Sequence, residues 1–139
     1  MIYKGYKIRV RCIDWEQANT IGHFWATVAA FTEYKDIVGL GMNWSYDNLY
    51  FDYALGTIDN EETLSKFKLI NFSNINFNPE YFEIELPDWN EWSTFKGRQN
   101  DVKEIYENSI DCKHKLYDYE LEYIDGKGNI EIKIHFIDD

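Results

Sequence analysis

Cysteine and proline are scarce in this sequence, with two of each in 139 residues. Cys12 and Cys112 are too few for a disulfide framework, and they lack the paired spacing of a thiolate metal site. Both are expected to be unpaired thiols, which suits a reducing, cytoplasmic setting. No apolar run reaches the length that crosses a bilayer, and the opening MIYKGYKIRV has no apolar core of a secretion signal. Positive charge is short as well: 14 Lys and Arg stand against 25 Asp and Glu, for a net charge of −11. Binding nucleic acid needs clustered cations to displace counterions from phosphates, and an anionic lipid surface would repel this chain, so neither is an expected partner. A cationic ligand or a basic protein fits the charge better, although solubility alone is the simpler cause of an acidic surface.

Metal and cofactor signals are also missing. His23, His114 and His135 fall on separate segments without ligand spacing, so no metal is expected. There is no nucleophile elbow and no phosphate-cradling glycine loop, since the GLG of IVGLG sits inside a strand pattern. No cofactor is expected.

Rings are abundant: five Trp, eleven Tyr and nine Phe make 18% of the chain aromatic. Rings of that size fill cores or wall concavities. A chain of 139 residues can bury a core as a single domain.

Hydrophobic periodicity orders the elements. YKIRVRCI (6–13) alternates as a strand. Asp14 with Gln17 reads as a capping box opening a helix, with Ala18, Ile21, Trp25, Val28 and Phe31 or Thr32 on its apolar stripe. IVGLGMNW (37–44) and LYFDYALGTI (49–58) read as strands joined by the turn SYDN. The polar, Asn-rich stretch 61–78 reads as a connection holding a short strand at FKLINF. FEIELPDWNEWSTFKG (82–97) reads as one strand interrupted at Pro87 and resuming over 91–95. Asp101 with Glu104 opens a short helix bearing Val102, Ile105, Tyr106 and Ser109 or Ile110. YDYELEYI and NIEIKIHF are then two strands joined by the hairpin signal DGKG. The order β-α-β-β thus occurs twice, in units of about 1–60 and 80–139. An α+β fold follows, with a joint antiparallel sheet, two helices on one face and a groove between the units.

Four ordered fragments, TIGHFW, VGLGMNW with YFDYALG, ELPDWNEWSTFKG, and DYELEYI with IEIKIHF, resemble the GyrI-like small-molecule-binding domain. That domain is the effector-binding module of AraC-type and MerR-type regulators and also stands alone. The resemblance spans the whole chain and implies tandem β-α-β-β units related by a pseudo-twofold, with an aromatic groove and an acidic residue inside it. It further implies that the groove holds lipophilic, often cationic, compounds. With no helix-turn-helix in the sequence, a stand-alone form is expected.

The site expected on these grounds is walled by Trp25, Trp44, Tyr53, Trp92 and Phe95, with Glu120 or, failing it, Glu122 at its base. Glu120 and Glu122 share a strand face because side chains alternate. The plain alternative is a wet acidic face, with Tyr119, Leu121 and Tyr123 packed under the helices. The leading expectation is capture of a flat lipophilic molecule. The alternatives are hydrolysis of a strained or electrophilic compound by the same glutamate, and an acidic inhibitor of a basic protein partner. Enzymatic activity is left open, with binding preferred and no catalytic residue assigned beyond Glu120.

Overall fold

The computed structural model describes residues 1–75, 78–111 and 116–137, with the side chains of 74 and 75 left aside. Cys112 and His114 lie outside these residues. The strands are β1 (Ile2–Arg11), β2 (Val38–Met42), β3 (Tyr50–Ile58), β4 (Glu80–Glu85), β5 (Ser93–Arg98), β6 (Tyr117–Ile124) and β7 (Asn129–Phe136). The helices are α1 (Gln17–Ala29), α2 (Glu61–Phe67) and α3 (Val102–Ile105), the last continuing as a wider π turn over Tyr106–Ile110.

All seven strands form one antiparallel sheet in the order β4-β1-β3-β2-β6-β7-β5. Within it β1-β3-β2 mirrors β5-β7-β6 about the β2–β6 seam, which is the pseudo-twofold expected from the repeated element order. No helix among the described residues is long and apolar enough to cross a membrane.

Helix α1 forms because Phe24, Trp25 and Val28 recur at helical spacing and bury against the sheet. Each such burial contributes about 1.5–3 kcal/mol relative to exposure. The expected capping box is not formed. Asp14 and Trp15 adopt positive φ (50° and 62°), the helix starts at Gln17, and Glu16 at its N-cap makes no side-chain cap. Residues 61–78 also depart from expectation, since α2 precedes FKLINF, which forms the end of that helix, a turn and the start of a 3-10 turn over Phe72–Ile75 in place of a strand. The Asn60 side chain accepts from the Thr63 amide at 3.1 Å and starts a helix that buries Thr63, Leu64 and Phe67.

The segment 82–97 is not one strand. β4 pairs with β1 at one edge of the sheet and β5 pairs with β7 at the other. The connection between them crosses the face away from α1. There Leu86 and Trp92 pack with Tyr3, Val38, Leu40, Met42, Ala54 and Leu121. Six strand spacings of about 4.8 Å come to roughly 29 Å, which exceeds the reach of seven residues containing a helical turn. The sheet therefore curls toward this strap, and Leu40, Ala54 and Leu121 are fully buried beneath it.

Candidate functional site

On the helical face, α1 and the α3–π segment stand on either side of the β2–β6 seam and leave a cavity of about 430 Å³. That size suits a small organic molecule. Two larger depressions of about 760 and 590 Å³ lie near Lys35, but both are wider open and neither contains a buried carboxylate.

The floor is built by strand register. Gly39 and Gly41 of β2 sit opposite Glu122 and Glu120 of β6, while Ile132 and Ile134 of β7 flank the same glutamates on the other side. The two glycines carry no side chains on this face, so their neighbours lie over them. A Cβ at Gly41 would stand 2.5 Å from Glu120 Oε1, and one at Gly39 would collide with the Tyr53 hydroxyl. Val38, Leu40 and Met42 of the same strand point to the strap instead.

Glu120 and Glu122 are only 6% and 8% exposed. This inverts the plain alternative, in which the acids are wet and Leu121 packs under the helices. Leu121 is buried on the strap side, and the acids face the cavity.

Glu122 is held on both oxygens. The Tyr53 hydroxyl donates to Oε1 at 2.7 Å, the Tyr106 hydroxyl donates to Oε2 at 3.2 Å, and the Trp25 indole donates to Tyr53 at 2.8 Å. Burial raises the Glu122 pKa, and the two phenols oppose that rise. Glu120 is pushed further above the carboxylate range, first by burial and then by the charge of Glu122, with Tyr106 acting against both. Two carboxylates this close titrate as a pair. Burial also raises the Tyr106 and Tyr53 hydroxyls, so both stay protonated donors.

Rings wall the space. Trp25 stacks on Tyr34 (6.2 Å, 21°), and Trp44 stacks on Phe51 (5.5 Å, 7°) while meeting the Tyr117 edge at 5.2 Å. Trp15 and Tyr106 complete the aromatic lining. No Lys, Arg or His is among the described lining residues, whose only charged groups are Glu120, Glu122 and Asp111. Cys12, an unpaired thiol, also reaches the wall.

Of the residues expected from sequence, Trp25, Trp44, Glu120 and Glu122 line the cavity, and Tyr53 lies directly beneath it. Trp92 does not. It sits in the strap on the opposite face, its indole donating to the Pro87 carbonyl at 3.0 Å. Phe95 is half-buried on β5 and packs against Phe136, outside the lining. Sequence reasoning missed Trp15, Tyr34, Tyr106 and Tyr117. The signal for Tyr106 was present in the apolar stripe of the second helix, where a phenol faces the strand carrying the acids. Tyr117 was hidden by an irregularity between Tyr117 and Tyr119 that puts it on the face of Glu120 against simple alternation.

No family model and no curated protein matches the chain. Solved structures do match. One is an integron cassette protein from the mobile metagenome of Vibrio cholerae, at 18% identity and a TM-score of 0.61 over 99% of this chain and 90% of that one. Another is SAV2435, solved bound to tetraphenylphosphonium, at 13% identity and a TM-score of 0.51 over 98% and 89% of the two chains. At these identities the likeness is one of fold.

Proposed function

We propose that the cavity captures a flat, lipophilic, cationic organic molecule, as a binding domain of the GyrI-like kind. The observation that carries this reading is a buried carboxylate pair, walled by rings, with no cationic side chain among the described lining residues. A buried carboxylate without a partner is costly, and a cation from outside would supply one. The rings add apolar contact and cation–π attraction. The similar fold of SAV2435, solved with tetraphenylphosphonium, agrees with a lipophilic cation, although that cation is tetrahedral rather than flat. Titrating the protein with tetraphenylphosphonium and with N-methylacridinium, followed by tryptophan emission, tests it. Saturable quenching is expected, because Trp15, Trp25 and Trp44 are at the wall. Absence of saturation by both cations overturns the reading.

One observation favours hydrolysis as a second reading: Glu120 is a carboxyl with a raised pKa that opens on a cavity. Turnover of an electrophilic ligand, lost in Glu120→Gln, would support it over binding.

A further inference from the structure

The two glutamates are not equivalent, and the difference bears on the form in which a ligand arrives. Glu122 accepts the Tyr53 hydrogen at 2.7 Å on one oxygen and meets the Tyr106 hydroxyl at 3.2 Å on the other, whereas Glu120 has only a share of that Tyr106 hydroxyl. A carboxyl proton would have to compete with those donors, so Glu122 is the member built to be ionised. Glu120 has Gly41 on one side and Ile134 on the other, and opens on the cavity. The groups facing it are Glu122 and Tyr117 from β6, Tyr106 and Asp111 from the π segment and its end, Tyr53 from β3, and Cys12 after β1. Every one is an acid or a neutral donor. Two adjacent buried carboxylates with no cation among the described lining residues cannot both ionise cheaply, so the second holds a proton.

A second observation concerns hydrogen-bond supply. Gln17 Oε1 is buried at the cavity wall with no partner. The Trp25, Tyr53 and Tyr106 donors are already engaged within the protein. Gln17 Oε1 is thus an acceptor that a ligand carrying N–H would satisfy. A permanently charged onium has none.

Building on the proposed capture of lipophilic cations, we infer that the preferred ligand is a neutral aromatic nitrogen base that becomes a cation inside the cavity, Glu120 transferring its carboxyl proton to the basic nitrogen. The nitrogen lone pair takes up the proton and the O–H bond of Glu120 breaks. A protonated base and a carboxylate remain, beside a Glu122 that stays ionised throughout. No proton is exchanged with solvent, and the new N–H can donate to Glu120 or to Gln17 Oε1. A permanent cation, by contrast, must expel the Glu120 proton to buffer.

Acridine and N-methylacridinium are matched probes: one ring system, one titratable and one permanently charged. At a pH above the acridinium range and below the raised Glu120 range, acridine is neutral in solution, and its protonated form has a distinct, red-shifted absorption and emission. Bound to the native protein, acridine is expected to show the spectrum of the protonated ring. Calorimetry in buffers of different ionisation enthalpy is expected to show no net proton exchange for acridine and release of about one proton per N-methylacridinium. In Glu120→Gln, acridine should bind with its neutral spectrum and N-methylacridinium should release no proton. Infrared difference spectra of the native protein supply a readout free of any variant, through loss of a protonated-carboxyl band on binding. Bound acridine that keeps its neutral spectrum, or N-methylacridinium that binds without releasing a proton, overturns the inference while leaving cation capture intact. Failure of both cations to bind defeats the parent reading instead.

Discussion

The Tyr53 hydroxyl points its hydrogen at Glu122 Oε1 across 2.7 Å, joining the central strand of the first unit to the acidic strand of the second. Because the Trp25 indole donates to the same hydroxyl, helix α1 is tied into the link. The bond crosses the seam between the units directly under the cavity. Tyr53→Phe removes a donor from one buried group and an acceptor from another, so a loss of about 1–3 kcal/mol is expected in urea unfolding. The donor supports the ionised carboxylate, so the loss should be larger near pH 8 than near pH 5. Equal losses at both pH values would mean Glu122 is not the ionised member.

Stability should respond to Glu120→Gln in the opposite direction. Burial holds the Glu120 and Glu122 protons more tightly in the folded chain than in the unfolded one. Their protonation therefore stabilises the fold below the unfolded pKa of about 4.3, and that contribution is lost as pH rises through the raised folded pKa. Glutamine keeps the neutral state at every pH. The variant should match the native protein near pH 4 and exceed it by about 1–2 kcal/mol near pH 8, a gain in stability at the expense of binding. Chemical denaturation of both proteins across that range reads the difference.

Gly41 is expected to admit no side chain. A Cβ there would stand 2.5 Å from Glu120 Oε1 and 2.6 Å from its Cγ, so Gly41→Ala must push the glutamate off the floor. A cost of about 1–3 kcal/mol is expected, as for other overpacked sites. Weaker quenching by N-methylacridinium should accompany it. Unchanged binding in Gly41→Ala would show that the position of Glu120 is immaterial.

Much of this arrangement was legible in the sequence where local pattern and tertiary role agree. YDYELEYI, DGKG and NIEIKIHF specify a hairpin by alternation and turn chemistry, and β6 and β7 form there. Placing both acids on one face needed only the strand period, but choosing the buried face needed knowledge of what lay opposite. The register of Gly39 and Gly41 supplies that, and it is a non-local fact. Trp92 was misplaced because an aromatic beside the strand irregularity at Pro87 reads as groove-lining. The helical turn Trp89–Glu91 breaks the period, and the chain on either side belongs to opposite sheet edges. Helix α2 was missed because polar residues dominate 61–78, although Asn60 three residues before Thr63, with Leu64 and Phe67 beyond, was a readable start.

Two tryptophan variants should separate the faces of the sheet. Trp25 is at the cavity wall and Trp92 is in the strap beyond the sheet. In Trp92→Phe, ligand quenching should persist with unchanged affinity. In Trp25→Phe, affinity should fall by roughly tenfold, about 1.4 kcal/mol, because stacking area and the tie to Tyr53 are both lost. If Trp92→Phe abolished quenching, the ligand would lie on the strap side.

The affinity of a permanent cation should rise with pH. N-methylacridinium binds best when Glu120 is ionised, whereas burial and the neighbouring Glu122 keep that carboxyl protonated above the ordinary carboxylate range in the empty cavity. Below the raised pKa, binding must expel one proton, so the association constant should climb by at most about tenfold per pH unit. Above it, the curve should flatten, because no proton remains to be displaced. In Glu120→Gln the slope should vanish, and the preference over an uncharged ring of the same shape should shrink by about 1–3 kcal/mol, since desolvation offsets much of the lost attraction. In Glu122→Gln the like charge beside Glu120 is gone, so the flattening should move to lower pH. Fluorescence titrations of the native protein and both variants across the acid-to-neutral range give all three curves. A slope that survives in Glu120→Gln and disappears in Glu122→Gln would reverse the roles assigned to the two carboxyls.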